Sequence, residues 1–205
     1  MKNFIKYLFF QFAILSLAVT AVYSQQVTKP FYLLIDGGVG YARNISPGVP
    51  PTSSSGADYT NGGITGLFRI RGSKSDFITI GLESGWQHIS SVSQQNAQAA
   101  GFGSTNITGS LNAIPIMGVV TIQDYNIQLH GSFGFYRLIS TITVFGSTVT
   151  SAVWDMAFCI AAGYEIAVFG DYKIIPEFSW TRINDEQKSF LSLMIHFELP
   201  KWDPF

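Results

Sequence analysis

Residues 126–139 read Asn126-Ile127-Gln128-Leu129-His130-Gly131-Ser132-Phe133-Gly134-Phe135-Tyr136-Arg137-Leu138-Ile139. Ile127, Leu129, Phe133 and Phe135 fall on alternate positions, with Gln128, His130, Ser132 and Gly134 between them. Alternation with period two is the pattern of a β-strand whose faces meet two different media. The apolar face carries the bulk; the polar face is small or hydrogen-bonding.

Seven more segments repeat the pattern, at residues 31–43, 63–71, 77–89, 108–122, 152–166, 171–182 and 188–199. One face of each is apolar: Val39 and Tyr41, Phe68 and Ile70, Ile80 and Leu82, Ile114 and Ile116, Phe158 and Ile160, Phe178 and Trp180, Leu193 and Ile195. The other collects Asp36, Arg69, Arg71, Glu83, Asp155, Glu165, Lys173, Glu177, His196 and Glu198. Charges confined to one face and bulky apolar groups to the other suit a barrel with a polar lumen and lipid outside. The connections add a second signal. Long segments, 44–62 and 90–107, alternate with tight ones, 72–76 and 123–125; 140–151 and 183–187 are intermediate, and a tight turn is expected near Phe169-Gly170. Strands taken alternately up and down place Tyr41, Trp86, Phe135, Trp154 and Trp180 at the outer rim. Phe31, Tyr164, Tyr172 and Phe197 then lie at the periplasmic rim. Two aromatic girdles around an aliphatic band match the two headgroup levels of a bilayer. The expected fold is all-β, an eight-stranded antiparallel up-and-down transmembrane β-barrel.

Composition narrows the function classes. Of 205 residues, 47% are hydrophobic and only 12% charged, the reverse of a disordered chain. The formal charge of -1 leaves no basic surplus for nucleic acid. A lone cysteine, Cys159, excludes an intramolecular disulfide scaffold and a multi-cysteine zinc site. Residues 1–24 read as a secretory signal peptide: Lys2 and Lys6, then a mainly apolar run, then Val22-Tyr23-Ser24. Cleavage is expected after Ser24, with Ala21 as the alternative, leaving residues 25–205 as the barrel domain. No cysteine follows the apolar run, which excludes a lipoprotein anchor. Losing two lysines takes Lys+Arg from 12 to 10 against 13 Asp+Glu, so the mature charge is -3. The longest later apolar stretch, residues 157–170, contains Glu165 and falls short of the roughly 20 residues a transmembrane helix needs.

Together these residues resemble the small outer-membrane β-barrel family of Gram-negative bacteria, including PorT-like proteins, and more loosely the eight-stranded OmpX and OmpA barrels. The resemblance rests on the leader, on Phe31-Tyr32-Leu33-Leu34-Ile35-Asp36-Gly37-Gly38-Val39-Gly40, on Ile114-Pro115-Ile116, on the aromatic strand 130–136, and on a closing strand ending near Phe197. It implies a protein of the outer membrane with both termini periplasmic, assembled by the outer-membrane insertion machinery, which reads an apolar terminal strand ending in an aromatic. The tail Pro200-Lys201-Trp202-Asp203-Pro204-Phe205 departs from that pattern, because two prolines make a poor continuation of a strand.

No catalytic, cofactor-binding or metal-binding residue is assigned. The inward charges read as a structural ion-pair network filling the lumen rather than as a porin-like polar pore. His130 and Ser132, with Glu83 or Glu177, match the residue types of a lipid A deacylase triad. Their parity points them inward, however, and they lie close to the periplasmic turn, so they read as polar filler. Asn44-Ile45-Ser46 and Asn106-Ile107-Thr108 match glycosylation sequons that a bacterial barrel leaves bare. Cys159 reads as a small lumenal residue. The expected function is that of a non-enzymatic membrane protein, with outer loops serving adhesion, envelope integrity or a secretion apparatus. The alternatives are a lipid-modifying enzyme and a secreted soluble barrel holding an apolar ligand. Expected partners are outer-membrane lipid and lipopolysaccharide, the insertion machinery and a protein partner at the outer loops, which are expected to be mobile.

Overall fold

The computed structural model describes residues 31–46, 57–99, 103–184 and 188–202. The signal-peptide expectation, the loop tip at 47–56 and the terminal Phe205 lie outside the described residues. The strands are β1 (Tyr32–Asn44), β2 (Ala57–Thr60), β3 (Gly62–Ser73), β4 (Ile78–Ala99), β5 (Gly103–Asp124), β6 (Ile127–Val144), β7 (Ser147–Tyr164), β8 (Ile166–Phe169), β9 (Tyr172–Ile183) and β10 (Lys188–Glu198).

Eight of them close into an antiparallel ring in the order β10-β1-β3-β4-β5-β6-β7-β9, with β9 returning to β10. The other two are accessories. β8 continues β7 along β9 in one register, Gly163 facing Glu177 and Ile166 facing Ile174. β2 lies beside β4 above the end of β3. Closure lets the backbone of the ring satisfy itself, which is the condition for standing in lipid. At about 3.3 Å per residue, the 13 residues of β1 span about 43 Å, or about 33 Å upright at a 40° tilt, enough to cross an apolar band of about 25 Å.

The expected parity holds on all eight strands. Leu82 is 69% exposed and its neighbour Glu83 is 3% exposed. Val39, Ile64, Phe68, Ile116, Phe133, Phe158, Ile160, Phe178, Leu193 and Ile195 all face outward. Inward glycines allow the strands to press together. A Cβ on Gly134 would sit 2.2 Å from the Ile116 carbonyl oxygen, and one on Gly81 2.0 Å from that of Ile70.

Three expectations are corrected. Residues 90–107 are not a loop: β4 runs to Ala99 and β5 starts at Gly103, paired through residues 90–99 and 103–111. Residues 140–151 are not a loop either. β6 and β7 pair without a break to Val144↔Ser147. Phe145 (φ 51°) and Gly146 (φ 74°) make a two-residue turn with both residues left-handed, the geometry that matches strand twist. These segments form a four-stranded ribbon continuing the wall beyond the rim. The segment 44–62 also contributes to it, as Ala57–Thr60 pairs with Ser91–Gln94 of β4.

The third correction is the tail. Leu33 N donates to Trp202 O at 2.8 Å and Trp202 N donates to Leu33 O at 3.0 Å. The ladder between β10 and β1 thus continues after a one-residue slip, from Asp36↔Glu198 to Leu33↔Trp202. Pro200 lies in the slip, where its missing N–H leaves no donor unpaired. Lys201 Nζ fixes the tail 2.7 Å from Asp76 and 4.5 Å from the Tyr32 ring centre.

Candidate functional site

The lumen is divided into two layers. Toward the end that holds Tyr32 and Glu198, β1, β3, β4, β9 and β10 turn charged side chains inward. Arg69 is at the centre. Its Nη1 and Nη2 donate to Glu177 Oε2 and Oε1 at 2.5 and 2.7 Å, its Nε donates to Glu83, and Asp36 lies 3.9 Å away. Arg71 Nη2 donates to Asp36 at 2.8 Å and to Glu198 at 2.7 Å, while Nη1 reaches Thr121 at 3.3 Å and Gln128 at 3.4 Å. His196 Nδ1 bonds Asp36 at 2.9 Å. Lys173 bonds Glu165 and lies 3.4 Å from Glu198; Gln128 donates to Glu165. Nine of the ten inward groups named from the sequence meet in this network. The tenth, Asp155, is buried nearer the outer rim, opposite Tyr136.

Toward the opposite end the lumen is apolar: Ile89, Ala113, Met117, Tyr136, Leu138, Ala157, Cys159, Ile183 and Phe190 pack together. Cys159 faces Ser132 and Thr181, as expected of a small lumenal residue. A charged layer closed by salt bridges and an apolar layer above it fill the interior of an eight-stranded barrel. Unpaired, those charges could not be buried; paired and bidentate, they can.

Of the candidate triad, Glu83, Glu177 and His130 are drawn into the network. His130 Nδ1 bonds Thr121 Oγ1 at 2.7 Å, and its Nε2 lies 3.2 Å from Glu177 without the alignment of a hydrogen bond. No hydrogen bond joins Ser132 to His130. Both are buried on the lumenal face, away from the lipid-facing wall. Asn44 is also buried, its side chain accepting from Ser46 N. Thr121 and Gln128 were not singled out from the sequence. Their inward parity is the signal that would have found them.

Beyond the rim the alternation of β6 and β7 reverses. Within the wall, Phe133 and Phe135 face out while His130 and Ser132 face in; on the ribbon, Thr141 and Thr143 continue the outward row and Ile142 and Val144 the inward row, with Ile142 itself 50% exposed. Thr141 pairs with Thr150 at 3.4 Å and Thr143 with Thr148 at 2.9 Å. Just below, Arg137 lies 6.0 Å from the Trp154 ring.

No protein-family model and no curated protein matches this chain. Its backbone is similar to the crystal structure of Ail, the attachment invasion locus protein of Yersinia pestis, at 7% identity and a TM-score of 0.50, over 83% of this chain and 99% of that one. Ail in complex with the heparin analogue sucrose octasulfate gives 8% identity and a TM-score of 0.51, over 82% and 99%. Neisserial surface protein A is similar at 10% identity and a TM-score of 0.42, over 82% and 96%. The fold is that of an eight-stranded transmembrane β-barrel. At these identities the likeness speaks to architecture alone.

Proposed function

We propose that this chain is a non-enzymatic protein of a bacterial outer membrane and that its projecting ribbon is a contact surface facing the environment. Residues 1–24 direct export, 25–205 form the mature protein, and both termini of the mature chain lie in the periplasm. One observation carries the reading. β4, β5, β6 and β7 have 22, 22, 18 and 18 residues, whereas β1, β3, β9 and β10 have 13, 12, 12 and 11. The surplus lies at one end and forms a continuous antiparallel sheet. A barrel that served only as a membrane filler has no use for it. The filled lumen argues against conduction, and the lumenal position of His130 and Ser132 argues against lipid chemistry.

Adhesion is the role we favour for this surface; Ail, named for attachment, is a protein of this fold. The secretion-subunit role implied by the PorT-like resemblance would use the same surface. Arg43, Arg137 and Arg182 point outward near the outer aromatic girdle, where anionic headgroups of lipopolysaccharide would meet them. The insertion machinery would read β10.

An epitope inserted between Phe145 and Gly146 tests the orientation. It should bind antibody on intact cells, and the protein should fractionate with outer membranes and migrate differently on gels when unheated. Labelling only after permeabilisation, or recovery in the soluble periplasm, refutes the proposal.

A further inference from the structure

The lipid-facing wall is grooved at the rim that holds Phe31 and Trp202. Outward residues of β1, β3 and β4 lie in cross-strand rows, Ile35–Ile70–Leu82 and, one row nearer that rim, Leu33–Gly72–Ile80. Gly72 puts no side chain into the second row. Leu33 and Ile80 stand on the strands to either side of it, two strand spacings or about 9.6 Å apart. The gap is a groove of 310 Å³, bounded at its inner end by Ile70 and Leu82 and flanked by the Phe31 ring. A Cβ on Gly72 would sit 2.6 Å from Phe31 Cζ and 3.2 Å from Leu33 Cδ2, so any larger side chain there would fill it.

The rim beside the groove is ordered and positively charged. Tyr32 Oη donates to Ser75 O at 2.6 Å and Ser75 N donates to Ser73 Oγ at 2.8 Å, which ties down the turn between β3 and β4. Asp76, the carboxylate of that turn, is held by Lys201 at 2.7 Å. Lys74, two residues past Gly72, is exposed and makes no ion pair among the described residues. The other two turns at this end carry Asp124 and Asp171 and no lysine or arginine. An anion at this rim is therefore repelled by two turns and drawn to the third. Trp202, paired with Leu33 and well exposed, adds an indole at headgroup depth beside the groove.

Resting on the reading of this rim as the periplasmic one, we propose that the groove at Gly72 retains an anionic glycerophospholipid of the periplasmic leaflet, with its phosphate at Lys74 and the first part of one acyl chain between Leu33 and Ile80. Within a bilayer no hydrophobic gain favours one stretch of wall over another, so retention has to come from packing and charge. A groove touches a chain on three sides where a flat wall touches it on one. A glycerophospholipid places its phosphate directly above its chains, which matches a cation at the mouth of a groove one chain wide. Lipopolysaccharide, the rival anion, carries its phosphates on a broad sugar backbone with a cluster of chains, which this groove does not match.

The test uses the full-length mature protein in detergent micelles. Phosphatidylglycerol, phosphatidylethanolamine or lipopolysaccharide is added, and bound lipid is read by native mass spectrometry. Phosphatidylglycerol should stay bound under conditions that strip phosphatidylethanolamine. Gly72→Leu fills the groove and should raise the dissociation constant for phosphatidylglycerol about fivefold or more. Lys74→Glu lies on an exposed turn, so it tests the site even if Gly72→Leu does not fold. It should weaken phosphatidylglycerol about fivefold or more, with unheated gel mobility unchanged, and Lys74→Arg should retain it. Equal retention of the two phospholipids, or undiminished retention of phosphatidylglycerol by either folded variant, overturns the proposal. Lipopolysaccharide that displaces phosphatidylglycerol and is itself lost in Gly72→Leu becomes the occupant and also overturns it. Micelles have no leaflets, so the outcome does not depend on which rim intact cells expose.

Discussion

Replacing Arg69 by methionine tests whether the lumenal network holds the barrel together. The side chain is 3% exposed and answers three carboxylates. Without it, Asp36 keeps Arg71 and His196, and Glu177 keeps the two imidazoles at 3.2 and 3.6 Å. Glu83 is different: among the described residues its ionic partner is Arg69 alone. The substitution therefore strands one buried carboxylate completely and weakens a second. Removing one member of a buried pair costs about 3–5 kcal/mol, most of it the penalty of the charge left behind. Arg69→Met combined with Glu83→Met removes the stranded charge as well and should cost only about 1–2 kcal/mol, because replacing both members by apolar groups is often near neutral. The double-mutant cycle should then return a coupling of about 2 kcal/mol or more, as expected for residues in direct contact. Equilibrium urea unfolding in micelles, followed by circular dichroism and by unheated gel mobility, measures each corner of the cycle. Additive effects, or a cost below about 1 kcal/mol for Arg69→Met, would show that water reaches the site and that the network is not the fastening described.

Two further outcomes are expected. Leu82→Arg or Ile160→Arg puts a charge on the lipid-facing wall and should destabilise the barrel in bilayers by about 2–4 kcal/mol, while Thr79→Arg, turned into the lumen, should cost less; equal losses at all three would contradict the assigned faces. Gly134→Ala has no space for its methyl group beside the Ile116 carbonyl and should lower stability by about 2 kcal/mol in the same urea assay, whereas Gly131→Ala, with nothing within 4 Å, should be close to neutral.

The wall of the barrel was legible because lipid imposes a rule that every strand obeys in the same phase. The parity of Glu83, His130, Glu177 and His196 followed from their neighbours alone. The ribbon was not legible, because that rule stops at the rim. Between Phe135 and Ile142 the apolar residues change face, and a register shift between His88 and Ser90 interrupts β4 at the same level. A pattern that reverses phase reads as a pattern that has ended. Serine, threonine and glutamine then looked like loop composition, although they are strand residues facing water. Pro200 misled in another way. A proline ends a strand that needs its N–H, but this one sits where the ladder slips. The partners of Arg69 could not be read off either, since parity says which side chains face inward but not which of them meet across the lumen.

The span of the lumenal links along the chain has a consequence for assembly. Arg69–Glu177, Arg71–Glu198 and Asp36–His196 join residues 108, 127 and 160 apart, while Arg69–Glu83 and Lys173–Glu165 each lie within one hairpin. Hairpins of neighbouring strands close short loops and form early; the long links need both termini in place. Until β10 meets β1, the groups joined by the long links have only water in place of those partners. Their hydration resists moving the open sheet into hydrocarbon. Closure removes that resistance in one step, because the same event that seals the seam gives the charges their partners. A sheet still missing its final strand therefore carries a larger desolvation cost into hydrocarbon than a completed one.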